Sequence, residues 1–272
     1  MTDFRLVASD LKSPYGLAFD DEGDLFASET NAGRIIRLTG DHPGPFAESG
    51  GRPAGIAFDD SGDLFVAESG RHHLLLISQE ETVEVFASQC SGKRFASPTE
   101  LCFAPGGDIL FSDRGKSGDD GCIYRADLDG EVTLIASSLA SPAGMVLSDD
   151  AALLYVSEAG NDRIVTLEMD EDGALSNRET FVELKEAGGP GCLSFDAHGS
   201  LYVAQEGVVT VVDPDGNVQQ SLSTTGGGRP AGMIFGGLEF NELYISDSVA
   251  GTVSSQPLEV SGQRPFAGPR SV

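Results

Sequence analysis

The 272-residue chain has no tryptophan, four lysines, four cysteines and no basic stretch; Lys and Arg total 17 against 43 Asp and Glu, a formal net charge of −26. That imbalance excludes nucleic acid and anionic membrane surfaces as partners, since both are held through clustered Lys and Arg. No apolar run approaches the ~20 residues that span a bilayer. The opening MTDFRLVASDLKSP also lacks the basic start and apolar stretch of a secretory leader, so a cytoplasmic protein is expected. Cys90, Cys102, Cys122 and Cys192 form neither a CxxC pair nor a zinc-like spacing, and in a reducing compartment they read as free thiols. Two readings of the surplus acid stand side by side: plain solubility, or a surface kept hydrated in a salty cytoplasm.

What the chain does have is 35 glycines, 13 prolines and a 40% hydrophobic fraction, a composition of many tight turns between short strands around a sizeable core. Six segments resemble one another: SPYGLAFDDEGDLFASE from Ser13, RPAGIAFDDSGDLFVAE from Arg52, SPTELCFAPGGDILFSD from Ser97, SPAGMVLSDDAALLYVSE from Ser141, GPGCLSFDAHGSLYVAQ from Gly189 and RPAGMIFGGLEFNELYISD from Arg229. Their prolines, Pro14, Pro53, Pro98, Pro142, Pro190 and Pro230, are 39, 45, 44, 48 and 40 residues apart, the period of a four-stranded propeller blade.

Each unit reads as Pro-x-Gly, a short apolar strand, an acidic Gly-bearing turn, a second strand ending in an acid, a third strand such as RIVTL and an outer strand such as EVTLIA. One unit alone would leave both sheet faces wet, whereas six in a ring bury them. The fold expected is therefore an all-β, six-bladed propeller of four antiparallel strands per blade, one domain over 1–272. The N-terminal strand Phe4–Ser9 is the first candidate to close the last blade, with the tail segment RPFAGP from Arg264 as its competitor.

Ligand sites favour the mouth of a propeller's axial channel. A residue type found in every blade serves the blade, so candidates are the departures from the repeat. The acids closing the second strands (Glu29, Glu68, Asp113, Glu158, Asp247, with Gln205 in the fifth) belong to the repeat and are expected to accept loop N–H bonds. At the x of Pro-x-Gly, expected to face the mouth, stand Tyr15, Ala54, Thr99, Ala143, Gly191 and Ala231, and glycine gives way to Glu100 and Cys192. A carboxylate beside the axis among apolar strands is expected to have a raised pKa and to serve as an acid or base, with pairing to a loop arginine as the alternative.

Cys192 reads as a core thiol or a substrate contact, and Cys102 points to the core by strand alternation. His72 and His73 begin a third strand on the ligand face, where only one of two adjacent side chains reaches a ligand. His42 and His198 fall in solvated turns. Eleven of the 17 basic residues fall in or beside ligand-face loops, Arg52, Arg114, Lys185 and Arg229 among them, which suits either an anionic ligand or local pairing with loop acids. The long third-blade loops Ser88–Thr99 and Asp113–Cys122 read as walls or lids over the mouth.

The stretch GCIYRADLDGEVTLIASSLASPAGMVLSDDAALLYVSEAGNDRIVTLEMDEDGALSNRETF, Gly121 to Phe181, with RPAGMIFGG, LYISD and DPDGNV elsewhere, resembles the senescence marker protein, gluconolactonase and luciferin-regenerating enzyme family. The resemblance runs along nearly the whole chain. It implies a six-bladed propeller, one divalent cation such as calcium or zinc in the mouth, and hydrolysis of sugar or other lactones. The family's metal-ligand positions correspond to Tyr15, Thr99, Ala143 and Gly191, none a carboxylate or carboxamide, so no metal cofactor is expected. The function that follows is a lactone- or ester-type hydrolase, or a metal-independent relative, acting on a small substrate, an anionic one where the rim arginines serve the ligand. Glu100, Tyr15 and Thr99 are the catalytic candidates; Arg52, Arg114, Arg229, His72 and Cys192 are the substrate-binding ones. A lactonase with relocated metal ligands and a silent binding or scaffold propeller are the alternatives.

Overall fold

The structure, a computed structural model, describes residues 4–184, 188–224 and 228–267. Among these residues every regular element is a strand, and no helix is long and apolar enough to cross a membrane. Six four-stranded antiparallel sheets form the blades of a six-bladed β-propeller. The first holds Pro14–Phe19, Leu25–Glu29, Arg34–Arg37 and Gly44–Glu48 from the axis outward. The inner strands of the next four blades are Pro53–Phe58, Pro98–Phe103, Pro142–Leu147 and a shortened Leu193–Phe195. The sixth blade runs Pro230–Gly236, Glu242–Asp247 and Thr252–Pro257, and Arg5–Ala8 supplies its outer strand, with Arg5 opposite Ser255 and Leu6 opposite Ser254. The N-terminal strand thus closes the ring as expected. The competing tail crosses the opposite end of the axis, with Gly262 bridged to Asp196 and Gln263 Nε2 donating to Leu147 O at 3.0 Å.

The turns after the inner strands of blades one, two and five, and after the third strands of blades three, four and five, each follow from one aspartate. Asp59 Oδ1 accepts the N–H groups of Ser61 and Asp63, both at 2.9 Å, and Asp20, Asp127, Asp170, Asp196 and Asp213 repeat the arrangement. The short side chain satisfies backbone donors that the tight turn would leave unpaired, which is why D-x-x-G recurs in the sequence.

Each second strand is sandwiched between neighbouring blades, so Leu25, Leu64, Leu154, Leu201 and Leu243 are completely buried. The residue after each of these leucines (Phe26, Phe65, Tyr155, Tyr202, Tyr244) meets an aromatic of an adjoining blade edge to face, with Phe58, Phe103, Phe195, Phe235 and Phe19 respectively and centroids 4.9–5.6 Å apart. Such pairs add about 0.5–1.5 kcal/mol each beyond area burial. The junction of blades three and four is the exception, with Leu110 packed in one cluster with Leu147 and Met145.

Nearest the axis, blades are linked by serines of the second strands. Ser28 Oγ donates to Ala54 O, and Ser246 Oγ donates to Tyr15 O, both at 2.6 Å, the latter joining the sixth blade to the first. Ser246 Oγ also accepts from Gly232 N at 2.8 Å. Ser246→Ala strips one buried donor and one buried acceptor of their partner at the seam, so it is expected to cost about 1–3 kcal/mol, read as a lower denaturation midpoint in urea with unchanged m-value.

Candidate active site at the mouth of the axial channel

The acids that end the second strands hold the loops around the mouth. Glu29 accepts from Lys12 N at 2.7 Å and pairs with Arg34 at 2.5 Å; Glu158 accepts from Ala140 N at 2.8 Å and pairs with Arg163. Asp113 accepts from the backbone of Ala96, Ser97 and Gly115, and Gln205 donates Nε2 to Leu184 and Gly188 carbonyls. These residues do the loop-holding job expected of the repeat, and Arg34 and Arg163 are consumed by it.

In blades one, two, three and six the residue following the acid donates its N–H to the residue before the inner-strand proline of the same blade: Thr30 to Ser13 O, Ser69 to Arg52 O, Arg114 to Ser97 O and Ser248 to Arg229 O, each at 3.1 Å. This pins the backbones of Arg52, Arg114 and Arg229 at the channel entrance. A cavity of about 540 Å³ opens there, lined by these three arginines with Tyr15, Thr99 and Glu206. Arg114 Nη2 donates to Tyr15 Oη at 3.4 Å, while its Nε is buried with no hydrogen-bond partner. Thr99 Oγ1 donates to Ser97 O at 2.9 Å. Burial raises the Tyr15 phenol to about 12, with Glu100 and Cys192 pushing the same way and Arg114 opposing, so the phenol remains a donor at neutral pH.

Glu100 and Cys192 do not line this cavity. Both lie further along the axis and line a separate apolar chamber of about 170 Å³ with Met145, Met233, Cys102 and Phe235, to whose wall Gln263, Pro265 and Phe266 of the tail also contribute. The cause is the strand's alternation: the x residue faces the mouth and the next residue turns beneath it. Glu100 is held by Leu101 N–H at 3.3 Å, and burial lifts its pKa to about 8 against the pull of that bond and of Arg114. The Cys192 thiol is pushed far above the thiol range by burial and by Glu100, and its Sγ lies 3.7 Å from Met233 O. Cys102 packs against the core between blades three and four as expected and also borders the chamber, and burial raises its thiol to about 12.

His72 also stands apart from the mouth: its ring Nδ1 is 2.7 Å from Ala96 O, and it is not among the cavity's lining. The long loops are not lids. Of their residues only Ser97, Thr99 and Arg114 reach the cavity, and the chain after the hairpin Gln89–Cys90/Lys93–Arg94 is anchored in the blade by buried Phe95, which meets Phe111 edge to face and Tyr124 at a tilt. Lys185 lies outside the described residues. One lining residue escaped the sequence reading altogether. At the position after the closing acid stand Thr30, Ser69, Arg114, Ala159, Glu206 and Ser248, so subtracting the repeat there, one residue beyond where it was applied, singles out Glu206. It is the one carboxylate among the described residues that line the mouth.

Six blades with a polar cavity at one end of the axis define a six-bladed propeller with an open axial mouth. The chain belongs to the family described as the SMP-30/Gluconolactonase/LRE-like region, which matches residues 16–249. It is 27% identical over 184 residues to a gluconolactonase of Zymomonas mobilis subsp. mobilis, covering 60% of this chain and 51% of that protein. It is 28% identical over 157 residues to pentonolactonase XacC of Haloferax volcanii, covering 55% and 54%. The chain thus spans about half the length of the curated relatives it matches. Its fold superposes on regucalcin of Agrobacterium tumefaciens str. C58, a calcium-binding protein, with a TM-score of 0.84 at 18% identity, covering 99% and 97% of the two chains.

The residues at the family's cation positions do not fit such an ion. Of Tyr15, Thr99, Ala143 and Gly191 only two carry side-chain oxygens; one is a phenol accepting from a guanidinium and the other a hydroxyl whose hydrogen is used on Ser97. A hard dication wants about six to eight oxygens, mostly anionic, and Arg114 places a positive charge beside the position instead. The trio Asp20, Glu22 and Asp24, of which Glu22 alone is exposed, is no substitute, since Asp20 is the turn acid described above and Asp24 pairs with Arg37.

Because the folded state holds the Glu100 proton more tightly than the unfolded chain, wild-type stability loses ground as pH rises from 4.5 to about 8 and no further ground above it. Glu100→Gln removes that term. The gain in melting temperature of Glu100→Gln over wild type is expected to grow across this window and then level off, checked by thermal melts at stepped pH.

Proposed function

We propose that this protein hydrolyses a small lactone or ester in the mouth cavity. The observation that carries the reading is the coupling of Tyr15 Oη to Arg114 at the floor of a polar cavity with one carboxylate, Glu206, on its wall. Ester hydrolysis needs a donor where negative charge develops on the carbonyl oxygen and a base for the attacking water. Tyr15, kept protonated by burial and polarised by Arg114, supplies the first. Glu206 takes the proton of the water as its oxygen bonds to the carbonyl carbon. The tetrahedral centre then collapses, the ring C–O bond breaks, and the leaving oxygen takes up a proton to give a hydroxy acid. Gluconolactonase and pentonolactonase among the relatives support the lactone class.

In this reading Glu100 is not the proton carrier at the carbonyl. It sits beneath Tyr15, mostly neutral at pH 7, and Thr99 contributes a hydroxyl acceptor at the wall. On a panel of sugar lactones, Glu206→Gln is expected to lower kcat by about 10²-fold or more and Tyr15→Phe by about 10-fold or more. Glu100→Gln is expected to stay within a few-fold of wild type. A pattern in which Glu100→Gln abolishes turnover and Glu206→Gln does not would overturn these roles. No hydrolysis across the panel would overturn the reading itself.

A further inference from the structure

Three arginines line one cavity beside a single carboxylate, Glu206, and none of them forms an ion pair with it. Five of the twelve described arginines, Arg5, Arg34, Arg37, Arg125 and Arg163, pair with Glu242, Glu29, Asp24, Asp108 and Glu158, and four others, Arg71, Arg94, Arg178 and Arg264, are exposed outside the cavity without an ion pair. Arg52, Arg114 and Arg229 form no ion pair among the described residues, although their backbones are fixed by Glu68, Ser69, Ser97 and Ser248. Arg52 and Arg229 occupy the same place in the repeat, before the prolines of blades two and six, and so flank the Tyr15 strand of blade one on both sides. Arg114 adds a buried Nε donor with no partner. A buried donor without a bond is destabilising, and a ligand acceptor would satisfy it.

The hydroxyls around the rim point to the rest of the ligand. Thr30 Oγ1 donates to Pro53 O at 2.7 Å, Ser69 Oγ to Arg52 O at 3.0 Å, Thr99 Oγ1 to Ser97 O at 2.9 Å and Ser248 Oγ to Arg229 O at 3.3 Å. Each hydroxyl spends its only hydrogen on a backbone carbonyl and keeps its lone pairs, so toward the cavity it is an acceptor. A ligand matching this wall offers several O–H donors; a ligand matching the arginines offers an anionic acceptor.

We infer that the mouth is a receptor for a polyhydroxy carboxylate, its acid group held by Arg52, Arg114 and Arg229 and its hydroxyls by the rim serines and threonines, with a tethered guanidinium doing the electrostatic work of a cation. The choice of carboxylate over other anions rests on the hydrolase reading, since opening a sugar lactone yields such an acid. The receptor binds either that product or a lactone bearing a second acid group.

The test is calorimetric titration of the purified protein with gluconate and, as neutral counterpart, glucitol, each with and without a calcium chelator. Gluconate is expected to bind about tenfold or more tightly than glucitol. The Arg52→Gln/Arg229→Gln double variant, changed only at exposed side chains, is expected to lose that preference, as is Arg114→Gln. Arg264→Gln, an exposed arginine over Phe240 at the far end of the axis, is expected to keep it, and the chelator is expected to change nothing. Equal affinity for the two probes, no gluconate binding, retention of the preference in the double variant, or a requirement for calcium would each overturn the inference. The two readings fail separately: arginine-dependent gluconate binding without lactone hydrolysis would remove the proposed reaction and leave the receptor. Hydrolysis with arginine-independent binding would do the reverse.

Discussion

The whole ring depends on how close six inner strands come at the axis. A Cβ built on Gly16, Gly55, Gly144 or Gly232 would lie closer than 3.0 Å to the backbone of the next blade, so at these four places neighbouring strands touch through the absence of a side chain. Real Cβ contacts at that distance are essentially unknown, and a methyl there would push two packed sheets apart. The serines Ser28 and Ser246 fit because the approach is that close: their hydroxyls reach across to Ala54 O and Tyr15 O at 2.6 Å. Proline before each glycine fixes the entry of the strand, and the register shift between Pro14 and Leu17, repeated in other blades, turns the x side chain to the mouth.

A departure from glycine must therefore be accommodated by a neighbour. Glu100 is accommodated in two ways. Its Oε1 lies against Gly55 of the preceding blade, where any side chain would collide with it. Toward the following blade the inter-blade serine bond, Ser112 Oγ to Ala143 O, lengthens to 3.4 Å, and this is the same junction where the aromatic pair is replaced by Leu110 and Leu147. The looser seam and the buried acid belong together: softer aliphatic packing tolerates the spreading that a side chain at the glycine position forces.

Much of this was legible in the sequence because it is a consequence of repetition. The six Pro-x-Gly segments, the D-x-x-G turns and the closing acids are local patterns whose physics is local, and the N-terminal strand carried the outer-strand pattern that the sixth blade lacked. The site was legible only in part. Tyr15, Thr99 and the three arginines could be placed at one opening from the register, but Glu100 and Cys192 could not be assigned a depth, because a one-residue step along a strand is a change of side. His72 was misplaced for a different reason: a positive φ of 67° turns the chain just before the strand and sends the ring to Ala96 instead of the channel. Glu206 was missed because the repeat was subtracted at the inner strand and not at the loop facing it.

The division of the axis into two chambers gives the electrostatics its sense. On the mouth side, charges not consumed by loop-holding pairs leave a local surplus of cation, which in a molecule of net charge −26 is a focused attraction for anions and a screen against cations. On the tail side, Met145, Met233 and Phe235 surround an acid that burial keeps protonated up to a pKa of about 8. Were Glu100 ionised at neutral pH, its field would reach Tyr15 and Arg114 and cancel part of the positive potential at the mouth. Held neutral, it leaves Arg114 free to act on Tyr15 and on the cavity above. A protonated acid beneath an unpaired arginine is thus the arrangement that lets so acidic a chain present a positive face to one small opening.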